Sequence, residues 1–199
     1  LSPVTKPGKY IHSDNPGAIC VDSENNLFVV TGSSGKGLEK LTPEGKRIDY
    51  GTLVQPSKRM IIGPDGSLFY SYLSYLLKTD TTAFDPAEDK PETEYIEASS
   101  QVFDFTFDQN DNLYLINKFG VSSVDPVGFT LLNEYELFAE DTTLITGRVY
   151  NNELYLIGEN ADPSTGPFIW KYSIDPDNGA LTGEMQEVLD WSTTQYSNI

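Results

Sequence analysis

Apolar and polar residues alternate with a period of two along most of this chain, and the alternation is broken at regular intervals by clusters of Asp, Asn, Gly and Ser. Four stretches show it best: "AICVDSENNLFVV" (Ala18 to Val30), "MIIGPDGSLFYS" (Met60 to Ser71), "FTFDQNDNLYLIN" (Phe105 to Asn117) and "RVYNNELYLIG" (Arg148 to Gly158). Each reads as an alternating run, a tight turn, then "LF" or "LY" opening a second alternating run, which is the signature of a β-hairpin. Aligned on the Leu that opens the second run, Leu27, Leu68, Leu113 and Leu154 fall 41, 45 and 41 residues apart. Helical periodicity is missing throughout.

A third run follows each hairpin and closes on a proline or glycine turn: "EKLTPEGKR" (Glu39 to Arg47), "SSVDPVGF" (Ser122 to Phe129) and "WKYSIDPDNGAL" (Trp170 to Leu181). The second repeat has a looser and longer "LLKTDTTAFDP" in its place. Fourth runs are "RIDYGTL", "TEYIEASS", "TLLNEYELFAE" and "GEMQEVLDW". Four strands per repeat of this length is the size of a propeller blade. A lone four-stranded antiparallel sheet cannot bury both faces, so such units stack on copies of themselves. The predicted fold is therefore all-β, a β-propeller of four-stranded antiparallel blades near 15–55, 56–100, 101–143 and 144–191, with 192–199 opening a further blade. Four visible blades are expected to belong to a larger ring of six or seven, in preference to a small closed ring. Phe28, Phe69, Phe103, Phe105, Phe107, Tyr114 and Tyr155 are expected to fill the spaces between blades.

Composition narrows the function. Against 13 Lys and Arg stand 30 Asp and Glu, a formal charge of −17, which repels phosphate backbones and anionic membrane surfaces. Nucleic acid is excluded as a partner on this ground, and the charge reads as a solvated surface. One cysteine, Cys20, and one histidine, His12, leave no material for an internal disulfide, the usual zinc spacings or a Cys/His nucleophilic pair. No apolar run reaches the roughly 18 residues of a membrane-spanning helix, so direct membrane insertion is not expected.

Chemistry is sought in the loops at the ligand end of a propeller, those joining fourth to first and second to third strands. From the first class Asn15 is a candidate. The second class contributes Lys36, Tyr70, Tyr72, Lys118, Phe119, Asn160 and Asp162. "TGSSGKG" (Thr31 to Gly37) fails as a phosphate loop, because only Ser33 and Ser34 separate Gly32 from Gly35-Lys36. "FDQNDN" (Phe107 to Asn112) starts like a calcium loop, but Leu113 and Phe119 stand where Gly and Glu are required. It reads as a hairpin turn, as does "DSENN". The tyrosines of "YSYLSYLLK" could stack on a sugar or anchor a protein, although alternation favours blade packing.

"NPGAICVDSENNLFVVTGSSGKGLEKLTPEGKRI" resembles a blade of the NHL-type and gluconolactonase-like propellers, and "KYSIDPDNGALTG" is similar to the outer hairpins of lactonase-like propellers. The resemblance covers nearly the whole chain and implies an extracytoplasmic location, since bacterial cell-surface proteins of unknown function share this style of repeat. The enzymes among these propellers hold a divalent metal in the central channel with Glu, Asn and Asp. Asn15 and Asp104 match in type, but Lys58 and Arg148 mark basic regions, so the pattern does not transfer and no metal ligand or catalytic residue is assigned. The expectation is a non-catalytic binding or scaffold propeller for a glycan, a small ligand or a protein, needing no cofactor. The alternatives are a metal-assisted lactonase-like hydrolase, with a divalent cation such as calcium, and a purely structural module.

Overall fold

The computed structural model describes residues 18–31, 37–52, 59–81, 93–137, 142–160, 162 and 166–190. Among them are sixteen strands and no helix. Sheet one comprises β1 (Ile19–Val21), β2 (Leu27–Thr31), β3 (Gly37–Leu41) and β4 (Arg47–Thr52). Sheet two comprises β5 (Met60–Ile62), β6 (Leu68–Tyr72), β7 (Tyr75–Thr79) and β8 (Thr93–Glu97). Sheet three comprises β9 (Val102–Phe107), β10 (Leu113–Asn117), β11 (Gly120–Asp125) and β12 (Thr130–Glu136). Sheet four comprises β13 (Thr142–Tyr150), β14 (Glu153–Asn160), β15 (Pro167–Ile174) and β16 (Leu181–Asp190). Each sheet is a meander in which strands neighbour one another in chain order. The chain divides into two compact units, Leu1–Tyr72 with Leu77–Glu94, and Leu73–Leu76 with Tyr95–Ile199.

The hairpin turns explain the repeating polar clusters. In three of them one residue takes the left-handed conformation, Asn25 (φ 64°), Gly66 (φ 82°) and Asp111 (φ 67°), residue types for which that geometry costs little. The amide of each bonds back three residues, to Asp22, Gly63 and Asp108, which makes a type I turn closed by a bulge. The fourth hairpin turns through Asn151 (φ 50°) and Asn152 (φ 57°), the paired left-handed conformation of a type I′ turn.

The turn acids serve this geometry. Asp22 Oδ1 accepts the amides of Glu24 (2.9 Å) and Asn26 (2.8 Å), while Oδ2 accepts Asn26 Nδ2 (3.0 Å) and pairs with Lys40 at 3.3 Å. Asp108 takes the amides of Asn110 and Asn112, the Asn112 side chain and the Tyr114 hydroxyl. Lysines on third strands complete the pattern in the first unit. Lys40 lies 5.0 Å from the Phe28 ring while it pairs with Asp22, and Lys78 lies 5.5 Å from Phe69 while it pairs with Asp65 at 2.8 Å. These carboxylates are occupied by donors from their own sheet.

Leu27, Leu68 and Leu113 open β2, β6 and β10, and Leu154 is the second residue of β14, as the repeat predicts. In the first unit β1 lies beside β5, and Phe28, Val30, Leu38, Met60, Leu68 and Phe69 are fully or almost fully buried. Within the second unit β9 lies beside β13, and Leu154, Leu156, Phe168 and Ile174 of sheet four form one core with Tyr114, Ile116 and Val121 of sheet three. Gly158 allows close packing there, since a Cβ would stand 2.4 Å from the Phe168 ring. Polar bonds lock the same junction: the Tyr114 hydroxyl donates to Gly179 O (2.8 Å) and Asn110 Nδ2 to Pro176 O (3.0 Å). Of the aromatics expected in the core, Phe28, Phe69, Phe105 and Tyr114 are wholly buried. Phe103, Phe107 and Tyr155 are only half-buried.

Candidate functional site

Three sequence-predicted residues are gathered at one end of sheets three and four. Lys118 and Phe119 make the β10–β11 turn, with the Lys118 ammonium 4.7 Å from the Phe119 ring centroid. The Lys118 peptide sits at the junction of the sheets: its N–H donates to Gln101 O (3.0 Å) and its carbonyl accepts from Leu144 N (3.1 Å). Asn160, the last residue of β14, pairs with Thr142, whose hydroxyl donates to Asn160 Oδ1 at 3.3 Å. Since Thr142–Leu144 opens β13, Asn160 shares this end with Lys118 and Phe119. Asp162 lies just beyond β14 and is exposed.

The other candidates are not brought to that cluster. Tyr70 has no exposed surface, so its ring is core and cannot stack on a ligand arriving from solvent. Tyr72 is half-buried at the end of β6. Asn15 and Lys36 lie outside the described residues.

Asp104 and Arg148, on β9 and β13, the neighbouring first strands of sheets three and four, form an ion pair of 2.5 Å. The Thr146 hydroxyl also donates to Asp104 Oδ2, and Oδ1 accepts the Phe105 amide at 2.9 Å. Asp104 is 4% exposed. A carboxylate so placed would have to shed Arg148 before it could take a cation, and a buried acid stripped of its partner is costly. Among the described residues no group of three or more His, Cys, Asp or Glu side chains is placed to hold a metal ion.

An aromatic pair with one exposed ring stands on β7 and β8 of sheet two, within the second unit. Tyr75 and Tyr95 meet edge to face, with centroids 5.9 Å apart and planes at 80°, and Tyr95 is 69% exposed. The Tyr75 hydroxyl donates to Glu97 Oε1 at 3.2 Å. That hydrogen bond and the carboxylate's charge raise the Tyr75 phenol above its ordinary value. Leu73, 56% exposed, belongs to the same unit. Sequence reasoning singled out the tyrosines of this loop but missed Tyr95 and Glu97, which lie some twenty residues away. Their signal was an aromatic between two acids on a fourth strand, "TEYIE".

A second feature it missed is a buried polar contact in sheet three. Asn117 Nδ2 donates to Ser122 Oγ at 3.2 Å, with both residues buried. The signal there was a pair of serines, Ser122 and Ser123, inside an otherwise apolar strand.

In the first unit a cavity of about 550 Å³ is lined by Asp22, Glu24 and Lys40 of sheet one and by Ile62, Asp65 and Thr81. Its acids are those already engaged by the turns. Burial tends to raise the Asp22 carboxyl, but the hydrogen bonds from Asn26 and Lys40 outweigh it and hold the group below its usual range. Beside it, burial and then the Asp22 charge push the Cys20 thiol up to about 12, which makes it a poor nucleophile at neutral pH.

No family model matches the chain, and no curated protein matches it. Solved structures similar in fold include hydrazine synthase of Kuenenia stuttgartiensis, at 12% identity and TM-score 0.67, covering 92% of this chain and 53% of that one. Virginiamycin B lyase of Staphylococcus aureus matches at 12% identity and TM-score 0.62, covering 89% and 57%. The β-propeller domain of Cps50 (Swd1) from Myceliophteria thermophila matches at 13% identity and TM-score 0.62, covering 88% and 57%. The chain thus spans little more than half the length of these structures. Enzymes and a protein described only by its propeller domain both occur among them, so the likeness carries fold and not activity. Four meandering four-stranded sheets together with these neighbours make the fold an all-β β-propeller.

Proposed function

We propose that this protein is a non-catalytic binding or scaffold propeller, exported or displayed at a cell surface, whose ligand is a glycan presented by a surface or a partner protein. The observation that carries the reading is the Tyr75–Tyr95 pair. An exposed ring held edge-on by a second ring, beside a carboxylate already oriented by a hydroxyl, offers an apolar platform with a polar acceptor at its rim. Pyranose rings have that chemistry, with C–H faces for stacking and hydroxyls for the acceptor. The blade-like repeats that resemble those of cell-surface propellers support the extracytoplasmic location. The Asp104–Arg148 pair supports a non-catalytic role, because it employs a first-strand carboxylate as structure.

A glycan-array screen followed by calorimetry tests the reading. The expected result is binding to a defined glycan class that Tyr95→Ala weakens at least about tenfold, as loss of an aromatic anchor does. Val127→Ala, 84% exposed in the β11–β12 turn, should leave it unchanged. Hydrolysis of a lactone panel, with a melting temperature raised by calcium, would instead favour the hydrolase reading. Absence of glycan binding by the wild type would remove the carbohydrate ligand.

A further inference from the structure

Asn178 is the only asparagine in the sequence that glycine follows, and it stands exposed in the β15–β16 turn. An Asn-Gly pair is open to attack of the main chain on the side chain, because glycine has no Cβ to shield its amide nitrogen. The surrounding bonds act on both reacting groups. Ala180 N–H donates to Asn178 Oδ1 at 2.8 Å, the oxygen on which negative charge develops as the carboxamide carbon is attacked. The attacking group is restrained instead: Gly179 N–H donates to Asp175 O at 2.8 Å, and Gly179 O accepts the hydroxyl of Tyr114 at 2.8 Å. Tyr114 is wholly buried and also bonds Asp108, while Gly179 is itself buried against Asn112. The electrophile is thus oriented in the native turn, and the nucleophile is freed only when Gly179 leaves its seat at the junction of sheets three and four.

We propose that Asn178 is a site of spontaneous deamidation whose rate is set by the Tyr114 hydroxyl. Gly179 N bonds to Asn178 Cγ, its proton passes to water, and the Cγ–Nδ2 bond breaks to release ammonia and leave a cyclic imide. Water then opens the imide at either carbonyl, giving aspartate, or isoaspartate in which the main chain runs through the former side chain. Water is the one co-reactant, and nothing is oxidised or reduced. The isoaspartate product adds a methylene to the backbone beside Gly179, where space is lacking: even a Cβ on Gly179 would stand 2.5 Å from Asn112 Cγ. It therefore draws Gly179 O off the Tyr114 hydroxyl and loosens the junction, whereas aspartate only adds a charge to an exposed side chain.

Incubation of the full chain at mildly alkaline pH, with peptide mapping by mass spectrometry and enzymatic labelling of isoaspartate, is the test. The expected result is conversion at position 178 ahead of every other asparagine, slower in the native chain than in the urea-unfolded one. Tyr114→Phe should quicken the native reaction about fivefold, the factor expected from losing one buried hydrogen bond, and leave the unfolded rate unchanged. Asn110→Ala, which deletes the bond to Pro176 O in the same turn, should quicken it as well, and serves if Tyr114→Phe does not fold. Because the opening is local, dilute urea should scarcely change the native rates. The isolated isoaspartate form should melt below the wild type, and Asn178→Asp, with the same charge on an unlengthened backbone, should match the wild type. The proposal is overturned by equal rates in the native and unfolded chain, by a native rate that neither substitution changes or that climbs in step with global unfolding, by faster conversion of another asparagine, or by an isoaspartate form as stable as the wild type.

Discussion

Sheets three and four are built from the same repeat and lie side by side in one unit, yet they bury their residues differently. Every residue of β10 is buried, and β11 is buried up to Val124, so neither strand shows alternation in its exposure. Along β14 buried residues alternate with more exposed ones from Leu154 to Glu159. The sequences do not announce this: "LYLIN" and "LYLIG" are nearly the same. What differs is whether a neighbour covers the second face. Burial in a stacked-sheet protein is thus a property of a sheet's place in the series as much as of its residues.

The largest test of that contrast is a matched pair of truncations. Ile116→Ala removes packed atoms between two sheets and should cost about 3 kcal/mol in urea denaturation, whereas Ile157→Ala at the corresponding open position should cost under about 1 kcal/mol. Equal losses would break the comparison. Within sheet four itself the two faces should differ at adjacent residues. Gly158→Ala drives a Cβ to 2.6 Å from Thr143 O as well as into the Phe168 ring, and should cost about 1–3 kcal/mol, far more than the change at Ile157.

A smaller effect separates the two tyrosines. Tyr114→Phe removes the hydroxyl bonded to both Asp108 and Gly179 O in a buried junction, and should cost about 1 kcal/mol. At Tyr155 the hydroxyl bonds Glu153, which keeps Lys171 as a partner, so Tyr155→Phe should change thermal stability little. The smallest effect expected is in pH dependence. In Asp65, as in Asp22, burial raises the carboxyl but is outweighed, here by the bonds from Lys78 and Ser67, so both groups sit below their unfolded values. Their stabilisation is therefore complete above the ordinary carboxylate range and is lost as pH falls through that range toward the folded values. Melting temperature should decline there, and Lys40→Met should flatten part of the decline.

Much of the fold was legible because turn chemistry and period-two alternation are local. The left-handed Asn25, Gly66 and Asp111 fall in the clusters that punctuate the sequence, β12 lies in the run predicted as a fourth strand, and β16 overlaps its predicted run but starts two residues earlier, at Leu181. The candidate site was less legible because its contacts are long-range. Alternation shows that Asp104 and Arg148 lie on strands, but not that β9 and β13 are neighbours. It cannot show that Tyr95 faces Tyr75, because a long connection separates β7 from β8. Tyr70 shows the local signal prevailing: its loop-like run suggests a ligand contact while alternation favours blade packing, and the structure buries the ring because β6 extends to Tyr72. The same alternation that suggested core for Tyr155 was sound as to face and silent as to whether another sheet covers that face.

Hydrogen exchange resolved by strand tests the central claim most directly, that successive sheets share one kind of interface, filled at sheet three and open at sheet four. The amides of β10 and β11 should exchange at least about tenfold more slowly than those of β14 and β15, because strands whose side chains are buried on both sides open only with larger parts of the fold. Equal protection of the two sheets, or slower exchange in β14 and β15, would contradict it.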